Sequence, residues 1–358
     1  MELLETGWRH FRNLEPLRLR WRPGLNVFLG PNGSGKTNIL ESLNVLSGWG
    51  VFPTPGNRIS SMITWNSAER RAFLSGSASG ERDLEIAVQI GERLSIRASN
   101  ERVTYSELRA LLPSLSFLPG DVNLLDGSPS VRRFFLDKLC ALCSPLYARR
   151  LAEYRQLVRQ RTAILRSSRN WGGKWTLLKA SAVPIAQLGS WIRQIRQGAV
   201  DLLAEKLSVK NSSLENGILP FSVGVAMDLR GDDLRSALDG GLERELHAGL
   251  VLVGPHRDDL VFSCLGRPAA LSLSRGQKRR VVMAAILAAG RLIETKLRLK
   301  PTLILDDVAA ELDAEGKSLM GEALAKTGWQ VFAASAKDPF PTAESTIWHV
   351  RGGKCEMR

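Results

Sequence analysis

Leu17, Leu19 and Trp21 alternate with Arg18, Arg20 and Arg22. That period of two predicts a strand with one buried and one basic face. The continuous apolar run Leu25–Leu29 predicts a fully buried strand. Beyond it Ile39, Leu40, Leu43 and Leu46 recur at helical spacing. Residues 47–68 are rich in Gly, Pro, Ser and Asn and read as loop. Short strand patterns follow at Ala72–Leu74, Leu84–Ile90 and Leu94–Ile96. A Pro/Gly loop within 116–130 leads into a helix carrying Arg132 and Arg133 in its first turns, and the chain then reads helical from about 134 to 210. There Leu151, Tyr154, Val158, Arg161 and Leu165 keep a packing period. Leu250–Val253 and Leu260–Phe262 predict strands about a turn at 254–259. A helix after Gln277 presents Val281, Val282, Ala285, Leu287 and Ala288, and strands at 302–305 and 330–335 complete the pattern.

Strands alternating with helices, interrupted by a long helical stretch, predict an α/β fold: a mixed sheet core with an inserted, mostly helical lobe. The expected division is a core part over residues 1–125, an insert over 126–245 and a second core part over 246–358.

Composition narrows the partners. The 358 residues carry a net charge of +13, with Arg the main basic residue. That excess favours polyanions, nucleic acid first. Between 149 and 179 nine basic residues face one acid, Glu153. Arg155, Arg159, Arg166 and Arg169 fall on one helical stripe, a candidate row for DNA phosphates. No apolar run approaches a bilayer span and no secretory leader is apparent, so a cytoplasmic protein without a membrane partner is expected. Four cysteines do not suggest a disulfide framework, and the C-x-x-C at Cys140 and Cys143 lies in an apolar helical run that favours packing over metal binding.

The chemistry concentrates at Gly30-Pro31-Asn32-Gly33-Ser34-Gly35-Lys36-Thr37, which fits G-x-x-x-x-G-K-[ST] at every fixed position. Strand, glycine turn and helix are the context this motif needs. Its backbone N–H groups would converge on ATP phosphates, Lys36 would reach the β/γ-phosphates, and Thr37 would hold Mg²⁺. Leu303-Ile304-Leu305-Asp306 supplies the metal-shell acid at a strand end. Asp307 is placed to orient or deprotonate the attacking water. Ser274-Arg275-Gly276-Gln277 opens a helix and resembles the signature motif of ABC-type ATPases. Glu311-Leu312-Asp313 looks like their D-loop. In that superfamily the signature meets the γ-phosphate held by a second subunit. One P-loop and one signature per chain therefore imply a head-to-tail homodimer.

Taken together, the chain resembles the RecF family, whose fold is an ABC/SMC-type P-loop ATPase head without the long coiled coil. The resemblance rests on His10–Asn13, on the P-loop, on Gly127-Ser128-Pro129 through Arg132-Arg133-Phe134-Phe135-Leu136-Asp137, on Gly254-Pro255-His256-Arg257-Asp258-Asp259-Leu260, and on the signature and acidic strand. It implies an ATP-dependent dimer on DNA, weak DNA-stimulated ATPase activity, and work at gaps and single-strand/double-strand junctions with RecR, RecO and RecA. By position Arg12 and Asn13 resemble residues near the adenine or ribose. Asp121 sits where a Q-loop contact to metal or water is expected. Two departures stand out. Phe52-Pro53-Thr54-Pro55 replaces a basic stretch of the family. Ala333-Ala334-Ser335-Ala336 lacks the His that transporters place after the last core strand, leaving Ser335 or backbone to sense the γ-phosphate. The alternative is the nucleotide-binding subunit of another ABC-type ATPase, a transporter or a nuclease partner.

Overall fold

The computed structural model describes residues 1–358 except 53–58, 66, 81–82, 168–170, 208–218, 220, 308–311, 338–339, 341–343 and 358. The chain forms two compact units. One holds Met1–Val122 and Ser274–Arg358, the other Asn123–Ser208 and Ser222–Leu273.

The first unit begins with β1 (Glu2–Arg9), β2 (Leu17–Arg20) and β3 (Leu25–Leu29), followed by α1 (Lys36–Leu46). Next come β4 (Ala72–Ser79), β5 (Leu84–Ile90), β6 (Ser95–Ala98), β7 (Glu101–Arg102), α2 (Tyr105–Leu111) and β8 (Ser114–Phe117). An antiparallel sheet runs β2-β1-β4-β5-β6-β7. Strict alternation in β4 and β5 puts Leu74, Ala78, Ile86 and Val88 inside, where they join Ile39, Leu40 and Leu43 of α1 in one core. The outward arginines of β2 are solvated: Arg18 and Arg20 share Glu5 at 3.7 and 3.3 Å.

In the second unit lie α3 (Pro129–Cys143), α4 (Tyr147–Arg166), α5 (Trp171–Leu207), β9 (Val223–Asp228), α6 (Leu234–Gly240), α7 (Leu242–Ala248), β10 (Asp259–Cys264), β11 (Arg267–Pro268) and α8 (Ala269–Ser272). Arg161 occupies an apolar-face position of α4 yet is fully buried, because Glu245, equally buried, pairs with it at 2.8 Å and Ser181 and the Leu178 carbonyl accept its other N–H groups. A buried guanidinium is tolerated only when paired and hydrogen-bonded in this way. The Cys140 thiol is buried, which pushes its pKa up and leaves it unreactive.

Two expectations change here. Leu250–Val253 is not a strand. Its backbone bonds to side chains instead: the Leu252 N–H donates to Glu245 at 3.0 Å, and the Val251 carbonyl accepts from Arg257 at 3.1 Å. The insert also extends past residue 245. β10 pairs antiparallel with β9 and β11, so the 254–260 turn belongs to the second unit rather than to the C-terminal core part.

The chain returns to the first unit with α9 (Arg275–Leu297), β12 (Thr302–Asp306), α10 (Ala314–Thr327), β13 (Val331–Ser335), β14 (Ser345–Arg351) and β15 (Lys354–Met357). These strands build a sheet in the order β15-β14-β3-β13-β12-β8, parallel except for β15. β12 and β13 are buried at every position, which is why they read as continuous apolar runs. Trp21 packs edge-on against Phe28, Phe332 and Trp348 at centroid distances of 5.6, 5.3 and 5.0 Å. Gly290 in α9 lets Trp329 lie against the helix, since a Cβ there would stand 2.2 Å from the indole. No helix among the described residues is long and apolar enough to cross a membrane.

Candidate functional site: a P-loop beside an acidic strand end

β3 delivers the chain into the loop at Gly30, and α1 starts at Lys36. Gly30 is dictated by space: a Cβ would meet the Val350 carbonyl of β14 at 2.2 Å. Gly33 and Gly35 have φ of 77° and 114°, values that side chains other than glycine rarely adopt. Lys36 Nζ donates to the Gly30 and Pro31 carbonyls at 2.8 and 2.9 Å, so the loop wraps its ammonium. Pro31, Asn32 and Gly33 stay exposed. Ser34 is held from behind, its carbonyl accepting from the Gly353 N–H of the β14–β15 hairpin at 2.8 Å. Its Oγ is buried without a hydrogen-bond partner among the described residues. A buried hydroxyl left unpaired in a glycine loop fits a ligand oxygen.

The acids arrive through sheet register. Asp306 pairs with Ala334, Ala334 with Phe28, and Ser335 with Leu29. Asp306 therefore ends its strand two strands from the loop, about 10 Å across at the usual spacing, and Thr37 Oγ1 spans the gap. It donates to the Asp306 carboxylate at 3.0–3.1 Å. Burial raises the Asp306 pKa to about 6 against the Thr37 hydrogen bond, and the Asp307 charge adds to the rise. A buried carboxyl facing a threonine hydroxyl is a donor set that suits a Mg²⁺ ion, and Thr37 and Asp306 would hold it. Asp307 is exposed at φ 52°, a left-handed conformation costly for a non-glycine residue, with its N–H bonded to the Ala334 carbonyl at 3.0 Å. That turn releases the side chain from the strand at the mouth of the site.

Asn13 reaches the loop. Its Nδ2 donates to the Gly33 carbonyl at 3.2 Å and its Oδ1 accepts from Asn38 at 2.7 Å. Arg12 points elsewhere in its described contacts. It is bidentate to buried Glu41 of α1 at 2.7 and 3.0 Å and donates to the Ser61 carbonyl, so it anchors the helix behind the loop. The Asp121 carboxylate accepts from the Leu118 N–H at 2.9 Å, closing its own turn.

The signature stretch lies at the start of α9. Ser274 caps the helix: its Oγ accepts from the Gln277 N–H at 3.3 Å, and Gln277 Oε1 accepts from the Ser274 N–H at 2.9 Å. All four residues, Ser274 to Gln277, are exposed. A Cβ on Gly276 would meet nothing within 4 Å, so the fold itself does not require glycine there. Asp313 caps α10 through the Gly316 N–H at 2.7 Å. Arg280 of α9 bridges Asp313 and Glu315 at 3.5 and 2.8 Å, fastening the start of α10 to the signature helix. Arg280 and Glu41 were not singled out by sequence, since neither lies in a motif. Glu311 and Arg169 lie outside the described residues. Arg155, Arg159 and Arg166 share one exposed face of α4. Of these, Arg155 pairs with Asp137 at 3.0 Å and Arg166 donates to the Gly249 carbonyl at 3.1 Å.

A P-loop strand, an apolar strand ending in paired acids and an exposed signature helix within one unit define a P-loop ATPase head of the SMC type. The RecF/RecN/SMC N-terminal domain family matches residues 3–354. The DNA replication and repair protein RecF of Moorella thermoacetica is 33% identical over 354 residues, covering 96% of this chain and 94% of that one. RecF of Heliobacterium modesticaldum is 29% identical, covering 99% and 98%. The chain belongs to the RecF family. Among solved structures it resembles the recombination mediator protein RecF with ATP, of the RecFOR pathway, at a TM-score of 0.84 and 22% identity over 100% and 97% of the two chains. The Smc head domain of Pyrococcus furiosus gives 0.59 at 15% identity over 100% and 96%.

Proposed function

We propose that the chain is an ATP-gated, DNA-binding homodimer of recombinational repair, with two composite sites formed head to tail. The observation that carries this reading is the exposed N-terminus of α9, where Gly276 faces open space. A glycine inside an exposed helical turn costs about 1 kcal/mol relative to alanine, and close approach of a partner's phosphate accounts for it. The P-loop backbone and Lys36 hold the β- and γ-phosphates. Thr37 and Asp306 would hold a divalent metal ion, which would offset phosphate charge when bound. Asp307 orients the water and takes its proton. The helix N-terminus and Ser274 of the partner add positive potential and a hydroxyl at the γ-phosphate. Hydrolysis removes the bridge, so weak turnover acts as a switch on the monomer–dimer equilibrium. By family resemblance Asp121 would supplement the metal shell, and Asn13 would lie near the adenine or ribose. By family, the expected work is at gapped DNA with RecR, in a pathway shared with RecO and RecA, in the cytoplasm.

A mixing experiment tests shared sites. Lys36→Ala and Ser274→Arg chains, each inactive alone, should recover part of the ATPase activity when combined, because one site then joins an intact P-loop to an intact signature. A Ser274→Arg protein that hydrolyses ATP at the unmutated rate would remove the signature from the mechanism.

DNA binding is carried by phosphate contacts on α4. Replacing Arg159 and Arg166 by Gln should weaken binding about equally across sequences. It should also flatten the log–log salt dependence by roughly 0.9 per lost contact on duplex DNA. An unchanged slope would make the row merely solvated.

A further inference from the structure

The two most family-specific stretches, 127–137 and 254–260, both lie in the second unit and carry no role in the nucleotide chemistry proposed above. In the second unit they meet at a cavity of about 280 Å³. One face of α3 contributes Ser130, Arg133 and Phe134; α4 contributes Arg155, α5 Arg196, and the turn His256. Three guanidiniums thus line it, and the carboxylate among them is Asp137. That carboxylate is already engaged. Arg196 donates to it at 2.8 Å, Arg155 at 3.0 Å and Tyr147 at 2.5 Å. Arg133 makes a 2.8 Å bond to the Asp258 carbonyl and pairs with no carboxylate among the described residues. The neighbouring acids are spent elsewhere, Asp258 on Arg193 at 2.6 Å and Asp259 on Arg132 at 2.7 Å. His256 is neutral: burial lowers its pKa to about 4, and Tyr154 and the Val251 carbonyl hold its ring. Burial and then the Arg196 charge lower the pKa of Arg133. The lining carries two positive charges more than negative ones, with Arg196 buried, Arg133 half-buried and Arg155 exposed.

A phosphate monoester, with close to two negative charges at neutral pH, restores that balance. A cavity at the lower end of small-ligand size takes a phosphate with its sugar. The unbroken backbone of a duplex cannot enter, and its diesters carry one charge each. Phe134 is 40% exposed and lines the same cavity, a surface on which a base can stack. Arg155 also belongs to the exposed row with Arg159 and Arg166, so a strand lying on α4 leads to the opening.

We propose that this cavity binds the terminal phosphate of a nucleic-acid strand between Arg133, Arg155 and Arg196, with the last base against Phe134. The proposal rests on the DNA-binding reading above, and its test separates the two. The full chain is titrated with single strands of one sequence bearing a 5′-phosphate, a 3′-phosphate or neither, followed by fluorescence anisotropy. One phosphorylated end should bind about tenfold tighter than the plain strand, the value of one charge-assisted hydrogen bond. Arg133→Gln should erase that gain while leaving ATP binding and plain-strand affinity unchanged. Ser130→Asp should do the same from an exposed first-turn position, where an acid favours the helix. Equal affinities for all three strands, or a gain that survives both substitutions, would overturn the site. Deoxynucleoside monophosphate that binds tightly while neither strand end is favoured would assign the cavity to a free nucleotide and overturn the strand-end proposal. Failure of every strand to bind would refute the DNA-binding reading and this proposal together.

Discussion

Lys36→Ala is expected to abolish productive ATP binding. Lys36 Nζ lies within 2.8 and 2.9 Å of two loop carbonyls, which fixes the cation in the centre of the glycine turn. Removing it leaves the phosphates facing those carbonyl oxygens and no ammonium. Truncating one partner of a close charge pair costs roughly 2–5 kcal/mol, so affinity should fall by about thirtyfold or more. Equilibrium dialysis with labelled ATP measures this. The fold should survive, because Ile39, Leu40 and Leu43 still bury α1 in the core. Unchanged affinity would remove the P-loop assignment.

Asp307→Asn should separate binding from hydrolysis. The substitution keeps shape and hydrogen bonding at a residue whose backbone already sits at φ 52°, a region asparagine tolerates well. It removes the base. Loss of general-base assistance lowers rates by about 10²–10⁴-fold. The variant should bind ATP with normal affinity and accumulate as an ATP-bound dimer, seen as single-turnover hydrolysis slowed without loss of retained nucleotide. Turnover at the normal rate would move the water-positioning role to another group.

The nucleotide half of the site was legible because its determinants are local. A glycine turn, a capping serine and an apolar strand ending in acids each write their geometry into consecutive residues. Even the register that brings Thr37 to Asp306 follows from buried parallel strands. Contacts between distant charges were not legible. Arg12 shares no pattern with Glu41, nor Arg161 with Glu245, and in each case the partner decides where the guanidinium goes. Arg161 sits at an apolar-face position and is buried like its neighbours. The Leu250–Val253 run has the composition of a strand, but a glutamate and an arginine satisfy its backbone instead. The extent of the insert is not legible for a related reason. Which strand β10 pairs with is a long-range choice that its own residues do not reveal.

In the proposed mechanism ATP joins two copies of this chain through the exposed signature helix. Sedimentation velocity with and without ATP tests it, using the unmutated protein beside Ser274→Arg. The expected result is a monomer that becomes a dimer with ATP for the unmutated chain, and a Ser274→Arg protein that binds ATP through Lys36 and Thr37 yet stays monomeric. A Ser274→Arg protein that dimerises with ATP as readily as the unmutated chain would contradict it.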